Sequence, residues 1–185
     1  MKRVLLVMSF VLPAFVFAQN RIETQVKVGY DYGIDADRNE SFGIDLVVGY
    51  RTSEQFRIGL GTGISWCEHK YENAKFINYR YSGEYRETAA YVPLLLNGKF
   101  NFVDSSISPY VAMDLGYTIF IPFSKFAENN KLGLMFSPCF GCDYSIGNCD
   151  LFTQVGYKYQ KREFDTILGT FGNYSQLVFA IGVQF

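Results

Sequence analysis

Eight separate segments of this chain alternate apolar and polar residues with a period of two, and that pattern limits the fold more than any other feature. In the first, Ile22, Thr24, Val26, Val28, Tyr30 and Tyr32 share one face, while Glu23, Gln25, Lys27, Gly29 and Asp31 share the other. The second sets Phe42, Ile44, Leu46, Val48 and Tyr50 against Ser41, Gly43, Asp45, Val47, Gly49 and Arg51. The third sets Phe56, Ile58, Leu60, Thr62, Ile64 and Trp66 against Arg57, Gly59, Gly61, Gly63 and Ser65. Successive side chains of an extended strand point to opposite sides, so each segment reads as a strand with one apolar face. A helix would need apolar residues three and four apart.

The pattern continues through five more segments. The fourth covers residues 86–100, with Ala90, Val92, Leu94 and Leu96 on one face. Pro93 interrupts it. Proline has no N–H for the ladder, so the expectation is a β-bulge at that point. The fifth, residues 108–121, sets Val111, Met113, Leu115, Tyr117 and Ile119 against Tyr110, Ala112, Asp114, Gly116 and Thr118. The sixth, 132–144, carries Leu134, Phe136 and Phe140 on its apolar face. The seventh sets Leu151, Thr153, Val155, Tyr157 and Tyr159 against Gln154, Gly156, Lys158 and Gln160. The eighth ends the chain, with Leu177, Phe179, Ile181, Val183 and Phe185 opposite Gln176, Val178, Ala180, Gly182 and Gln184.

Two eight-stranded barrels fit such alternation, one with its apolar face inside and one with it outside. The interior of eight strands is only just wide enough for side chains. The polar face here is mostly Gly, Ser and Ala with a few long charged residues, and the apolar face is large and aromatic. The small face therefore belongs inside and the bulky face against lipid. Composition agrees, with 18% aromatic residues that include 14 Tyr and 18 Phe, since membrane barrels carry aromatic girdles at both interfaces. Links after the second, fourth and sixth segments are short (52–55, 101–107, 145–149). Those after the first, third, fifth and seventh are longer (33–40, 67–85, 122–131, 161–173). Short periplasmic turns alternating with longer outer loops are the membrane-barrel pattern, and they put both termini in the periplasm. The expected fold is all-β, an eight-stranded antiparallel up-and-down transmembrane β-barrel.

The amino terminus fits export. Lys2 and Arg3 precede an apolar run over residues 4–17, and Val16-Phe17-Ala18 offers small residues at the −3 and −1 positions. That is a secretory signal peptide over residues 1–18, too short for a membrane helix of about 20 apolar residues. The mature barrel domain is then residues 19–185. It holds fifteen basic against eighteen acidic side chains, a balance that gives no reason to expect nucleic acid as a partner.

Three stretches resemble a known family. Val92-Pro93-Leu94-Leu95-Leu96 followed by Lys99-Phe100 is similar to the proline-containing fourth strand of the outer-membrane β-barrel (porin-family) proteins of Bacteroidota. Ser108-Pro109-Tyr110-Val111 resembles the start of that family's fifth strand. The terminal strand closing on Phe185 resembles the signal read by the barrel-assembly machinery. The resemblance implies the fold and a place in the cell outer membrane, with membrane lipids and the assembly machinery as partners. It implies no activity.

The candidate sites follow from the faces. Glu23, Arg51, Arg57, Lys99 and Asp143 fall near the periplasmic end of the polar face, Lys27, Asp45, Asp114 and Gln154 near mid-height, and Asp31 and Lys158 near the top. Buried charges persist when paired, so these predict a salt-bridge network filling the lumen. The segment after the third strand carries Tyr71, Phe76, Tyr79, Tyr81 and Tyr85, a candidate extracellular contact surface for a protein or glycan. Ile77, Tyr79 and Tyr81 alternate with Asn78, Arg80 and Ser82, which predicts a hairpin with its tip near Glu72-Asn73-Ala74-Lys75.

His69 is the one histidine, beside Cys67, Glu68 and Glu72, and spacing sets no serine next to it. It reads as a solvated loop residue, with a lipid-hydrolase role as the alternative. Cys139 and Cys142 would face opposite sides of a strand, and no second pair completes a zinc site. Cys142 and Cys149 flank the last short turn and are candidates for a disulfide across it, while Cys67 lies at the other end. No metal or cofactor is expected. The leading expectation is a non-enzymatic outer-membrane barrel with a filled lumen, structural or partner-binding through its loops. A narrow channel for small solutes comes second and an outer-membrane lipid hydrolase third.

Overall fold

The computed structural model describes residues 21–34, 40–72, 75–76, 79–80, 84–122, 130–166, 169–171 and 173–185, with backbone alone for much of the long-loop end. The signal-peptide expectation over residues 1–18 lies outside the described residues. Eight long strands form the molecule: β1 Ile22–Gly33, β2 Glu40–Arg51, β3 Phe56–Glu72, β4 Glu84–Asn101, β5 Ile107–Pro122, β6 Asn130–Ile146, β7 Cys149–Thr166 and β8 Tyr174–Gln184. Each pairs antiparallel with its neighbours in chain order, and β8 returns to β1, so the sheet closes. At the joint, Thr24 donates its N–H to the carbonyl of Phe185 (3.1 Å), and Phe185 donates back to the carbonyl of Thr24 (2.9 Å). The last residue is thus part of the seam that makes a barrel out of a sheet.

The alternation sorts the side chains into two walls. Leu60, Leu134 and Ile181 are 70%, 69% and 63% exposed on the outside. Lys27, Asp114, Lys99 and Asp143 are buried on the inside. An inside-out polarity of this kind is stable only where the surrounding medium is apolar. Among the described residues no helix is long and apolar enough to cross a membrane.

The turns at the short-turn end are tied by backbone hydrogen bonds. The β6–β7 link is a two-residue hairpin between Ile146 and Cys149, with Gly147 at φ 63°, a conformation that disfavours any side chain. The turn after β2 is closed by Thr52 and Ser53 donating to the carbonyl of Phe56. Asn101 donates to the carbonyl of Gln55, and Ser145 to that of Ser106, so neighbouring turns are bonded to one another.

Three expectations need correction. Pro93 produces no bulge: the registers with β3 and β5 are the same on both sides of it. The ladder merely omits the rungs at Gly63 and Ile64, because a single missing N–H removes one bond without adding a residue. The register shifts instead between Leu132 and Met135 of β6, where two residues, Gly133 and Leu134, stand opposite one of β7, Lys161. Cys142 and Cys149 form no disulfide, and none of the four cysteines does. Cys142 stands opposite Thr153 and Cys149 opposite Ile146, four residues apart along the strand and so about 13 Å. The outer hairpin also reverses later than expected. β3 and β4 stay paired as far as Glu72 and Glu84, and Lys75–Phe76 then pairs with Tyr79–Arg80, so the reversal falls between Phe76 and Tyr79.

Candidate functional site

The inward face of the eight strands supplies the lumen. At its short-turn end lies an open vestibule of about 210 Å³, whose floor includes Arg57, Lys99 and Asp143 and whose mouth includes Arg51 and Glu23. Higher up is a second cavity of about 40 Å³, bounded by Lys27, Asp31, Asp45, Asp114, Gln154 and Lys158. The two share no lining residue. Between them is a layer of buried side chains, among them Val47, Asn97, Tyr110 and Phe152.

Each charged residue named from the sequence has an ionic partner. Glu23 pairs with Arg51, and with Arg57 at 3.5 Å. Lys99 meets Asp143 at 2.6 Å. Lys27 lies between Asp45 (3.3 Å) and Asp114 (3.1 Å), and Lys158 meets Asp31 at 2.8 Å. Five cations thus face five carboxylates. A lumen of low dielectric holds such charges only when they are matched and hydrogen-bonded. Gln154 is bonded as well, accepting from the Tyr110 hydroxyl at 3.1 Å.

Neutral amides join the pairs around Glu23, Lys99 and Lys27 into one network, while the Lys158–Asp31 pair is bonded to Ser41. Arg57 donates to the side-chain oxygens of Gln184 (2.6 Å) and Asn97 (3.3 Å), and Asn97 donates to Asp114 (2.6 Å). The Gln184 oxygen also accepts from Gln25 (2.8 Å) and Lys99 (3.2 Å), while its amide donates to Glu23 (3.0 Å). Asn101 donates to Asp143 (2.7 Å) and to Ser108 (2.8 Å). Gln184 therefore ties the closing strand to three other strands, β1, β3 and β4, through one side chain. Asn97, Asn101 and Gln184 went unnamed as site residues because reading charges alone passes over amides. Their position on the same parity as Lys99 and Ala180 was the available signal.

Aromatic residues complete the barrier. The Lys99 ammonium lies 4.0 Å from the ring centre of Tyr110 and 5.5 Å from that of Phe152. The two rings pack with Ala112 and Cys139. The interior is thus not made only of small and charged residues, since Val47, Leu95, Tyr110 and Phe152 all point inward. They fit because a glycine opposes each of them: a Cβ on Gly61 would lie 2.8 Å from Val47 and one on Gly116 3.1 Å from Leu95, while a Cβ on Gly141 or Gly182 would run into the ring of Tyr110 or Phe152.

His69 is in β3 opposite Glu87, and its side chain lies outside the described residues, as do those of Tyr71, Phe76, Tyr79 and Tyr85. Tyr81 and the Asn73-Ala74 part of the proposed tip also lie outside them. Cys139 faces the lumen, and among the described residues no group of His, Cys, Asp and Glu could hold a metal ion.

No protein-family model matches this chain, and neither does any curated protein. Solved structures do. The outer membrane protein OprG from Pseudomonas aeruginosa superimposes with a TM-score of 0.57 at 12% identity, over 89% of this chain and 94% of that one. Neisserial surface protein A, NspA, superimposes with a TM-score of 0.51 at 12% identity, over 88% of this chain and 95% of that one. At this identity the likeness speaks for architecture. A closed eight-stranded antiparallel barrel with an apolar outer wall, short turns at one end and longer connections at the other is the fold of outer-membrane barrels.

Proposed function

We propose that the protein is a non-enzymatic outer-membrane barrel that does not conduct, and that it presents its long-loop end to a protein or glycan outside the cell. The observation that carries this reading is the packed layer between two cavities with no lining residue in common. Arg57, Lys99, Tyr110, Phe152 and Gln184 fill the cross-section, each held by neighbours, so a path for solutes would need the network to break. The pairing of β3 with β4 up to Glu72 and Glu84, and of Phe76 with Tyr79 beyond it, supports a hairpin standing above the lipid band with tyrosines to offer. The resemblance of the Pro93 and Ser108 stretches to the porin-family barrels of Bacteroidota supports the same reading. So does the role of Phe185 in closing the seam, which suits recognition by an assembly machinery after export behind residues 1–18.

The test is planar-bilayer conductance of the refolded mature chain. Silence is expected, and steady single-channel steps would replace this reading with the channel. A Tyr110→Ala/Phe152→Ala double variant should acquire leak current, which would locate the barrier.

A further inference from the structure

Gly98 and Gly147 have open space where a side chain would stand. The positive φ of Gly147 accounts for that glycine. Gly98 has neither a strained backbone nor a crowding neighbour, yet it interrupts the bulky outer face of β4 between Leu96 and Phe100. The strand register places it in a row across four strands with Ile58, Met113 and Pro138. The row on one side is Phe56, Phe100, Val111, Phe140 and Val155, and the row on the other is Leu60, Leu96, Leu115 and Phe136. All nine flanking side chains are exposed. The two ridges are four residues apart along each strand, about 13 Å. Once the side chains are allowed for, the trough between them is about as wide as one hydrocarbon chain. A hollow of about 630 Å³ lies over Gly98, Met113 and Pro138, walled by the row from Phe56 to Val155.

We propose that this groove holds one acyl chain of a phospholipid from the leaflet at the short-turn end. The proposal rests on the barrel being a membrane protein. The groove begins at Phe56 and Phe100, beside the short turns, and climbs with the strand tilt toward the middle of β6 and β7. A lipid with its headgroup at that rim would send its chain along this path. The trough is continuous with the lipid-facing wall, so acyl chains already surround it. A second copy of the barrel fits less well, because a two-fold interface would set one hollow against the other and leave a void. The missing side chain at Gly98 gives the chain contact on three sides instead of one.

Native mass spectrometry tests this. The mature chain is refolded in detergent with palmitoyl-oleoyl phosphatidylethanolamine and freed of detergent in the instrument. Wild type should retain one lipid. Gly98→Phe should lower that occupancy at least tenfold, and Val28→Phe, in β1 and two strands from either end of the groove, should leave it unchanged. Met113→Trp fills the same trough from the next strand and serves if Gly98→Phe does not fold. Equal lipid retention by wild type and by the folded trough-filling variants would overturn the proposal. So would lipid-free dimers that Gly98→Phe disrupts, which would assign the groove to a second copy. Failure of the wild-type chain to insert into vesicles would instead remove the membrane reading beneath it.

Discussion

Gly98 and Gly116 sit on adjacent strands, one facing lipid and the other the lumen, and they are glycines for opposite reasons. A Cβ on Gly98 meets nothing within 4 Å, whereas one on Gly116 would run into the carbonyl oxygen of Leu94 and lie 3.1 Å from Leu95. The contrast holds for the two walls at large. Outside, the side chains share a yielding solvent and answer mainly to polarity. Inside, they share a fixed volume and answer to shape and charge together. The same substitution should therefore have very different effects on the two sides. The largest is expected from glycine itself: Gly116→Val should abolish folding into vesicles, while Gly98→Val should fold as well as wild type. The shift between compact and unfolded bands on unheated gels measures both. Similar folded yields would mean that the inner wall is looser than its packing implies.

Charge should separate the walls next. Lys99→Met leaves Asp143 buried with only the Asn101 amide to satisfy it. Removing one partner of a buried pair typically costs about 3–5 kcal/mol, because the surviving charge is stranded. The double variant Lys99→Met/Asp143→Leu should regain most of that loss. Urea unfolding in vesicles would read both. No recovery in the double variant would mean that the wider network depends on this pair as a unit. On the outer wall, Leu115→Arg near the middle of β5 should cost about 2–4 kcal/mol, the usual penalty for arginine at the bilayer midplane. A neutral result would place Leu115 near an interface or in a protein contact.

The sequence carried the strands and their faces because period two survives even in a noisy segment. Tyr110, Ala112, Asp114, Gly116 and Thr118 could be assigned inward from parity alone, and they point there. It also carried the heights of the charges, since height follows from position along a strand. It could not say which charge meets which. Lys27 contacts Asp114, which is 87 residues away and comes from a strand that is not its neighbour, and that pairing depends on the stagger of the closed sheet. The Cys142–Cys149 expectation failed for a related reason: a two-residue turn pairs Cys149 with Ile146, and closeness in sequence across a hairpin is not closeness in space. Pro93 misled because a missing donor and an extra residue look the same in one dimension. The inward Tyr110 and Phe152 were obscured by treating lumen volume as an average, when Gly141 of β6 and Gly182 of β8 make room for these two rings.

The smallest effect should come from the one pair that belongs to both worlds. Arg51 closes the vestibule mouth against Glu23, but its side chain is 45% exposed, against 5% for Arg57 on the same carboxylate. Water competes for the exposed guanidinium and salt screens it, so an ion pair of this kind contributes at most about 1 kcal/mol. Glu23 would keep Arg57 and the Gln184 amide after Arg51→Ala, so no buried charge is stranded. The variant should lose less than about 1 kcal/mol in urea unfolding, with the difference shrinking further at high salt. Arg57→Ala should lose several times more, because it removes bonds to Gln184 and Asn97 together with the Glu23 contact. If Arg51→Ala proved as damaging as Arg57→Ala, the boundary between solvated rim and sealed lumen would lie below Arg51, and the vestibule would be part of the packed interior.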